Sequence, residues 1–570
     1  MPDPNLADAV SRAATARPND PAIVYAGSSA RAGDEVVTWL EFDGWVDRVA
    51  AGLRALRLPG SRGVAARVMV VLPNVPEFAY AYFGILRAGL VAVPVNHGLT
   101  PRELGHVLRD SEASAVIAHP DAAAAIEAIR ADLPDLRHCF AVGTGSAEGA
   151  GRGGGAESLV ERLHAAVGAG ADAAADEGPV AGEDQLAALL YTSGSSGVPR
   201  AAMLTHVALM ANLRQLESVD GGVIRRDDVV LLALPLSHVF GLNAGLGAVA
   251  WHGACGVLVA EFDPAASLDV IARTGVSVVA GVPQMYAAWA ARPEARERFG
   301  SVRLAVSGAA PLEVATAEAF RAATGREIYE GYGLTEAAPV VCSALVSPAL
   351  KVGSVGRPLP GQRLRLLGED GTVVAELAAT GLLHVDAYPS GFDDDAGGVP
   401  GTDPGEVAVR GPNLFSGYWP DGRDGPDGDG WWRTGDLGYA DADGDLFLVG
   451  RTRDMIIVSG FNVYPEEVEL VLTGHAGVAQ AAAVGIPDPR TGQAVKAYVV
   501  RDPGSTVTET ELSEHCRRNL ARFKCPTSYE FVDALPHTPI GKVRRGVLRP
   551  DETPGADRSG LPSAEGRGSR

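Results

Sequence analysis

Short apolar runs alternate with alanine-rich segments of helical length in this chain of 570 residues. The apolar run at residues 68–72 precedes a helical pattern over 77–88, and a second helical pattern over 100–111 precedes the apolar run at 115–117. Strands separated by helices pair in parallel, because the crossover helix returns the chain to the same end of the sheet. The sequence therefore predicts an α/β fold built on mainly parallel sheets.

Residues 229–260 contain no Asp, Glu, Lys or Arg. About 20 apolar residues can span a bilayer, but proline, glycine, histidine and asparagine residues interrupt this segment. We therefore expect a buried strand at 229–234, a Gly/Ala-rich helix at 240–251 and a second strand at 256–259, with no transmembrane span.

The net charge of −21 argues against nucleic acid and anionic membrane surfaces as partners. The five cysteines are odd in number and form no CxxC pair, which predicts a reducing compartment without disulfides or a zinc site. The first 25 residues lack the apolar segment of a secretory signal. These features together predict a cytoplasmic protein.

A run of glycine and hydroxyl residues follows the apolar run at 187–191 and ends in a cation. Its polar members are Thr192, Ser193, Gly194, Ser195, Ser196, Gly197 and Arg200. Glycines let backbone N–H groups approach an anion, while the hydroxyls and the guanidinium add further donors. The GxxxxGK[ST] pattern of a Walker A loop is absent. The run therefore predicts a different kind of polyphosphate site.

Four further motifs follow in the chain: residues 307–311 (SGAAP), 332–336 (YGLTE), 432–436 (WRTGD) and 539–544 (PIGKVR). In this order and with the loop at 192–200, they resemble the adenylate-forming superfamily of acyl-CoA synthetases, luciferases and peptide-synthetase adenylation domains. The resemblance extends from about residue 15 to 548. The chain departs from it at Arg200 and Ala201, where the family usually has Lys-Gly.

The resemblance implies a particular domain organisation. Residues 1–450 are expected to form a large N-terminal adenylate-forming domain of stacked α/β sheets with a small β-barrel-like subdomain. Residues 451–455 are expected to form a hinge, and 456–549 a small mobile α+β domain. Residues 550–570 are predicted to be a disordered tail.

Adenylation brings two anions together and builds charge on the departing pyrophosphate, so a catalyst must supply cations and hydrogen-bond donors. The resemblance implies ATP, Mg²⁺ and coenzyme A as co-substrates or cofactors. It implies that Thr335 bonds the nucleotide phosphate and that Glu336 ligates the metal. Residues of two motifs are implied to line the adenine pocket, with Tyr332 stacking on the base: Gly308, Ala309, Ala310, Tyr332 and Gly333.

Further roles follow from the same resemblance. Asp436 is expected to accept hydrogen bonds from the ribose hydroxyls, and Arg451 to make a second ribose or phosphate contact. Lys542 is expected to bridge the incoming carboxylate and the α-phosphate, and His238 to contact the carboxylate. In the thiol-transfer step, Arg453 corresponds to the hinge residue, and a loop containing Ser459 and Gly460 is expected to admit the pantetheine arm of CoA.

Residues 239–250 contain no Asp or Glu that could pair with an amino-acid ammonium group. We therefore expect a carboxylic acid substrate with an apolar chain, most simply a medium- or long-chain fatty acid. The small residues of this segment either make room for that chain or allow close packing of the helix on the sheet: Gly241, Ala244, Gly245, Gly247 and Ala248.

Two alternatives to a CoA ligase stay open at this point. One is an acyl-AMP ligase that passes its adenylate to a carrier protein. The other is a nucleotide-binding homologue without catalysis, against which the intact Thr335, Glu336, Asp436 and Lys542 argue. A homodimer also stays open, because nothing in the sequence determines the oligomeric state.

Overall fold

The structure is a computed structural model. It describes residues 5–26, 34–143, 159–163, 165, 185–192, 199–385, 401–452, 454–458, 461–488, 490–520, 522–537 and 543–549. The chain divides into two compact units, Met1–Arg363 with Arg410–Trp432, and Leu364–Val409 with Arg433–Arg570. The predicted fold class is confirmed, since both units combine helices with β-sheets.

The first unit contains a six-stranded sheet that begins with five parallel strands and ends in an antiparallel hairpin. Its strands, in spatial order, are His138–Ala141, Ala115–Ala118, Arg67–Val71, Val91–Pro94, Leu186–Thr192 and Arg200–Thr205. Helices connect the parallel strands as the alternating pattern predicts: Pro76–Arg87, Pro101–Ser111 and Pro120–Ala128. Each begins with proline, which has no N–H to leave unsatisfied in the first turn.

The same unit contains a nine-stranded sheet whose central strands are parallel. In spatial order the strands are Arg357–Pro358, Val340–Ser343, Ile328–Gly333, Leu304–Ser307, Val278–Gly281, Val229–Leu232, Cys255–Leu258, Pro21–Tyr25 and Glu35–Thr38. Further α-helices in the described part of the unit include Asp8–Ala16, Trp39–Ala55, His206–Glu217, Ala248–His252, Pro264–Thr274, Pro283–Ala290, Ala295–Arg298 and Val314–Thr324. Short 3₁₀ turns occur at Arg130–Asp132 and Thr335–Ala337.

The charge-free segment at 229–260 folds as expected, as buried strands on either side of a helical stretch. The strands are Val229–Leu232 and Cys255–Leu258, and the helical stretch is a π-helix at Phe240–Gly247 that continues as Ala248–His252. The first strand ends two residues earlier than predicted, because the chain turns toward the helix after Leu232. Among the described residues, no helix has the length and apolarity needed to cross a membrane.

The second unit contains an antiparallel six-stranded sheet and a smaller mixed sheet. The strands of the first are Gly381–Val385, Val373–Ala378, Arg363–Leu367, Gly405–Arg410, Trp432–Ala440 and Leu446–Arg451. Those of the second are Phe461–Val463, Ile456–Val458, Gly492–Arg501 and Val478–Asp488, with Ser528–Phe531 parallel to the third of them. Helices Pro465–Thr473, Glu509–Asn519 and Arg545–Leu548 and a 3₁₀ turn at Arg522–Lys524 complete the unit.

The second unit thus joins the six-stranded sheet, predicted as a subdomain of residues 1–450, to the C-terminal residues. The domain boundaries near 450 and 456 and the hinge at 451–455 stay predictions. The tail predicted at 550–570 lies outside the described residues.

Candidate active site

Two paired antiparallel strands flank the glycine- and serine-rich run in the sequence. Thr192 ends one strand and Arg200 begins the next, and the two residues are paired across the antiparallel ladder. The Thr192 hydroxyl also donates to the Arg200 carbonyl at 3.4 Å. The intervening Ser193, Gly194, Ser195, Ser196 and Gly197 lie outside the described residues.

Arg200 is held by a carboxylate and an aromatic ring of the first unit. Its Nη2 lies 2.6 Å from Asp424 Oδ2, and its guanidinium carbon lies 3.8 Å from the centroid of the Tyr418 ring. A planar guanidinium can stack on a ring face while it forms an ion pair, which an ammonium does less well. The departure from the family's usual lysine is therefore matched by a local environment suited to arginine.

Tyr418 connects this cation to the predicted metal ligand. Its hydroxyl donates to Glu336 Oε1 at 2.6 Å. Burial and the neighbouring Glu336 carboxylate raise the pKa of Tyr418 above the usual value for a phenol. The phenol therefore stays protonated at neutral pH and donates to the carboxylate. Sequence reasoning missed Tyr418, whose only signal is its place in a Gly-Tyr-Trp run.

Glu336 lies in a 3₁₀ turn, Thr335–Ala337, that directly follows the strand Ile328–Gly333. Its side chain is buried, and its backbone carbonyl accepts from Phe415 N–H at 2.9 Å. Thr335, beside it, is half-buried. A carboxylate and a hydroxyl are hard oxygen donors of the type that Mg²⁺ takes up together with substrate phosphates. These residues therefore fit the predicted metal and phosphate roles.

The predicted adenine-binding residues lie at the ends of two adjacent strands, because Gly308 to Ala310 follow Leu304–Ser307, which pairs in parallel with Ile328–Gly333. A Cβ added to Gly308 would lie 3.1 Å from Phe240 Cε1, and one added to Gly333 would lie 2.4 Å from the Pro339 carbonyl oxygen. Gly333 therefore needs glycine, because a side chain there would clash with backbone, whereas a side chain at Gly308 would require the Phe240 ring to shift.

The predicted adenine-binding segment also contains a strained residue, Ala309, and lies beside a buried acid, Glu330. Ala309 has φ of 70°, in the left-handed region that alanine rarely adopts. The N–H of Leu312, three residues later, donates to Glu330 Oε1 at 3.1 Å. Burial raises the pKa of Glu330 to about 7. Tyr332 is buried, and Ala310 is half-buried.

His238 lies in the turn between the strand Val229–Leu232 and the π-helix. Its Nδ1 accepts from Phe240 N–H at 3.3 Å, so the proton of the neutral ring resides on Nε2. Burial lowers the pKa of His238 to about 4. The imidazole is therefore neutral at pH 7 and has one N–H to donate, which suits a substrate carboxylate.

Asn74, which sequence reasoning did not identify, fixes the backbone that leads to His238. Its Nδ2 donates to the carbonyls of Leu232 and Leu234 at 3.2 and 2.8 Å, and its Oδ1 accepts from Leu236 N–H at 2.9 Å. The three bonds hold Leu232, Leu234 and Leu236 to Asn74, which follows the strand Arg67–Val71 of the six-stranded sheet.

The small residues after His238 divide into two groups. A Cβ added to Gly241 would lie 2.5 Å from the Pro235 carbonyl oxygen, and one added to Gly245 would lie 3.1 Å from Leu232 Cδ2. Gly241 is therefore explained by close packing on the turn before the helix, and Gly245 by close packing on the strand Val229–Leu232. Ala244, by contrast, is half-buried.

Ala244 packs against a cluster of aliphatic side chains that we term the aliphatic wall. Its buried members are Leu216, Val219 and Leu359. Its half-buried members are Val223, Ala244, Val340, Leu345 and Val346. An aliphatic surface that is only partly covered by protein can contact an apolar ligand.

In the second unit, the two predicted ribose contacts pair with each other. Arg451 Nε lies 2.9 Å from Asp436 Oδ1, and the residues are opposite one another on adjacent strands. The Asp436 side chain is 11% exposed, so the guanidinium offsets the cost of burying its charge. Lys542, Arg453, Ser459 and Gly460 lie outside the described residues, and their roles stay predictions.

Two protein-family models and many known proteins match this chain. The family described as "AMP-binding enzyme" matches residues 10–419, and "AMP-binding enzyme C-terminal domain" matches 467–542. The chain is 35% identical over 509 residues to a long-chain-fatty-acid–CoA ligase of Escherichia coli O6:H1, covering 86% of each protein. It is 36% identical over 530 residues to a feruloyl-CoA synthase of an Amycolatopsis species, covering 92% of this chain and 95% of that protein.

A solved structure is similar throughout. The crystal structure of ATP-bound MatB from Rhodopseudomonas palustris superposes with a TM-score of 0.77 at 31% identity, covering 96% of this chain and 98% of that one.

Proposed function

We propose that the acid substrate of this protein is a fatty acid of medium or long chain. The proposal starts from the family: the chain belongs to the AMP-binding enzymes and is an AMP-forming acyl-CoA synthetase. Adenylate-forming CoA ligases use ATP, Mg²⁺ and CoA. The resemblance found in the sequence is thereby confirmed for the family and for the reaction class. A cytoplasmic location stays a prediction. The carrier-protein alternative finds no support in these relatives, and a homodimer stays open.

The aliphatic wall carries the substrate proposal. It is made entirely of Leu, Val and Ala side chains, and it includes Ala244, six residues after His238 on the segment that follows it. With His238 at the carboxylate, an alkyl chain that extends along the wall would be removed from water. Each buried CH₂ stabilises binding by about 0.8 kcal/mol.

In the first half-reaction, a carboxylate oxygen of the acid attacks the α-phosphorus of ATP. The bond between that phosphorus and the bridging oxygen breaks, and pyrophosphate leaves with the electron pair. The acid is already ionised at neutral pH, so no general base is needed. We assign the orientation of the carboxylate to the Nε2–H of His238 and to Lys542.

Charge on the phosphates is balanced by groups at the ends of the two paired strands and on the turn that carries Glu336. Thr192 and Arg200 supply donors at those strand ends, and Thr335 supplies a hydroxyl. Glu336, held by Tyr418, is the residue that would ligate Mg²⁺, and the metal when bound supplies positive charge to the phosphate oxygens. Asp436 and Arg451 are assigned to the ribose.

In the second half-reaction, the CoA thiolate attacks the carbonyl carbon of the acyl-adenylate, and AMP leaves. We assign the approach of the pantetheine arm to the loop with Ser459 and Gly460, where glycine lets the arm come close to the backbone. Rotation of residues 456–549 about 451–455 would exchange Lys542 for this loop between the two steps.

A second candidate substrate class is a hydroxycinnamic acid, which the 36% identity to a feruloyl-CoA synthase favours. Such an acid carries a phenol that needs a polar partner when it is buried. The members of the aliphatic wall are Leu, Val and Ala side chains, whose apolar surface an alkyl chain matches better than a phenol does. We therefore rank the alkyl substrate first.

The test is a panel of acids that includes C2 to C18 alkanoates, benzoate and ferulate, scored for pyrophosphate release and for acyl transfer. CoA and a phosphopantetheinylated carrier protein are offered separately as acceptors. The proposal expects the highest kcat/KM with a C8 or longer alkanoate and transfer to CoA. Preference for ferulate would support the second candidate. Transfer to the carrier protein alone would establish an acyl-AMP ligase.

A further inference from the structure

Five buried side-chain amides surround the turn that follows Glu336, formed by residues 337–340. We term them the amide cradle: Asn212, Gln215, Asn243, Gln362 and Asn413. Each is at most 5% exposed. They come from the helix His206–Glu217, the π-helix Phe240–Gly247 and two separate segments near 362 and 413, so distant parts of the first unit converge on one turn.

Every carbonyl of the turn has a donor. Asn413 Nδ2 donates to the Ala337 carbonyl at 2.6 Å, and Asn243 Nδ2 donates to the Ala338 carbonyl at 2.7 Å. The Pro339 carbonyl accepts from Leu334 N–H at 2.9 Å. The Val340 carbonyl accepts from two side chains at 2.8 Å each, those of Asn212 and Gln362.

Four of the amides also bond to one another, whereas Asn243 Nδ2 donates only to backbone, to Ala338 and to the Leu209 carbonyl at 3.0 Å. Gln215 Nε2 donates to Asn413 Oδ1 at 3.2 Å, while Gln215 Oε1 accepts from Asn212 Nδ2 at 3.1 Å and from Gln362 Nε2 at 3.0 Å. Burying polar groups is costly unless they are bonded. All five side-chain amide nitrogens of the cradle donate, while the Asn243 and Gln362 side-chain oxygens have no partner among the described residues. A linked network allows one arrangement where apolar packing would allow several. The cradle therefore fixes a backbone conformation.

The conformation that it fixes is strained. Ala338 has φ of 61°, in the left-handed region that a non-glycine residue rarely adopts. Strain of this kind persists only where the surroundings determine the backbone, and it is concentrated at functional sites. Two residues earlier in the chain is Glu336, whose carboxylate accepts from Tyr418.

We propose that the amide cradle consists of positioning residues that set the carboxylate of Glu336 before nucleotide and metal bind. The proposal rests on the proposed function, in which Glu336 is the metal ligand. The cradle acts through the backbone of 337–340 and touches no substrate. A turn that is set in advance lowers the cost of ordering the site when the ligands arrive.

The test compares Asn413→Ala with Asn5→Ala in the full chain. Asn5 is a matched control, because it is also buried, its Nδ2 donates to one carbonyl, Leu86, at 2.7 Å, and its Oδ1 accepts one hydrogen bond, from Ala7 N–H. Hydrogen exchange of a peptide spanning 334–343 is measured without ligands. We expect at least tenfold faster exchange there in Asn413→Ala and no change there in Asn5→Ala.

The second readout is ATP–pyrophosphate exchange as a function of Mg²⁺ concentration. Asn413→Ala should raise the half-saturating Mg²⁺ concentration at least fivefold, Asn5→Ala should leave it within twofold, and Asn413→Ser, which keeps a donor, should fall between. When Glu336 is already replaced by Gln, adding Asn413→Ala should lower the rate of ATP–pyrophosphate exchange little further, since both changes act on the Glu336 carboxylate.

Unchanged hydrogen exchange in the peptide, a Mg²⁺ midpoint within twofold of wild type, or equal effects of the two alanine variants would overturn the proposal. If Asn413→Ala does not fold, Asn243→Ser, which alters the donor to the next carbonyl, is held to the same criteria. Normal turnover of Glu336→Gln by itself would instead contradict the metal role in the proposed function, so the two failures are distinguishable.

Discussion

The Tyr418 hydroxyl lies 2.6 Å from Glu336 Oε1, and the face of the same ring lies 3.8 Å from the guanidinium carbon of Arg200. One phenol thus contacts both the predicted metal ligand and the cation that ends the predicted phosphate loop. The segment that carries Tyr418 is fixed beside the hairpin, since Trp419 N–H donates to the Ala201 carbonyl at 2.9 Å.

Tyr418→Phe removes the hydrogen bond to Glu336 and keeps the ring beneath Arg200. A hydrogen bond to a charged group contributes about 1.5–3 kcal/mol, so ATP–pyrophosphate exchange should fall roughly 10- to 100-fold. Tyr439→Phe is the control, because Tyr439 stacks on Phe447 in the second unit. An exchange rate for Tyr418→Phe within twofold of wild type would show that the bond does not matter for adenylation.

His238 should contact the acid as a neutral donor. Burial lowers its pKa to about 4, so the KM for the acid should not change between pH 6 and 8 through this group. His238→Ala should raise the KM for the acid at least tenfold and the KM for ATP far less, and His238→Gln should recover part of the loss because it retains an N–H donor. Equal increases in both KM values would argue for a general structural role.

Glu77 provides a stability test with a defined sign. It is 5% exposed, and burial raises its pKa to about 7 from the model-peptide value near 4.5. The native carboxyl is therefore neutral below pH 7, and its contribution to stability is full below pH 4.5 and lost as the pH rises through 7. The loss amounts to roughly 3 kcal/mol well above pH 7.

Glu77→Gln should accordingly be more stable than wild type at pH 8 and similar to it at pH 4. Chemical denaturation at the two pH values measures the difference, with the exposed Glu318→Gln as control. A variant that is less stable than wild type at pH 8 would mean that the native carboxylate is ionised and stabilised there.

Ala244→Trp tests the aliphatic wall. The half-buried Ala244 lies among aliphatic side chains, so an indole there should shorten the preferred alkanoate by several carbons and leave activity on short acids. Ala319→Trp, on the exposed face of the helix Val314–Thr324, is the control. An unchanged chain-length profile in Ala244→Trp would place the alkyl chain elsewhere. Gly245 is unsuitable for this test, since a side chain there would meet Leu232.

Much of the fold was predictable because strands and helices repeat with regular periods, and the family was predictable because the order of its motifs along the chain is distinctive. The roles of Thr335, Glu336 and Asp436 stay predictions. Asn74 and Asn413 were not predictable. Their partners are 158 and 76 residues away in the chain, and a lone asparagine has the same signal in a turn as in a buried network. The sequence also left two interpretations of the small residues after His238, close packing of the helix or room for an alkyl chain. Only the positions of the neighbouring strand and turn distinguish them.

The most direct test of the central claim is the dependence of kcat/KM on chain length for acyl-CoA formation from ATP, CoA and saturated acids. Each methylene that enters the apolar site should raise kcat/KM roughly fourfold, the factor that corresponds to about 0.8 kcal/mol, until the site is filled. A rise from C4 to at least C8 followed by a plateau is the predicted result. A flat series, an optimum at acetate, or ferulate above every alkanoate would contradict the account.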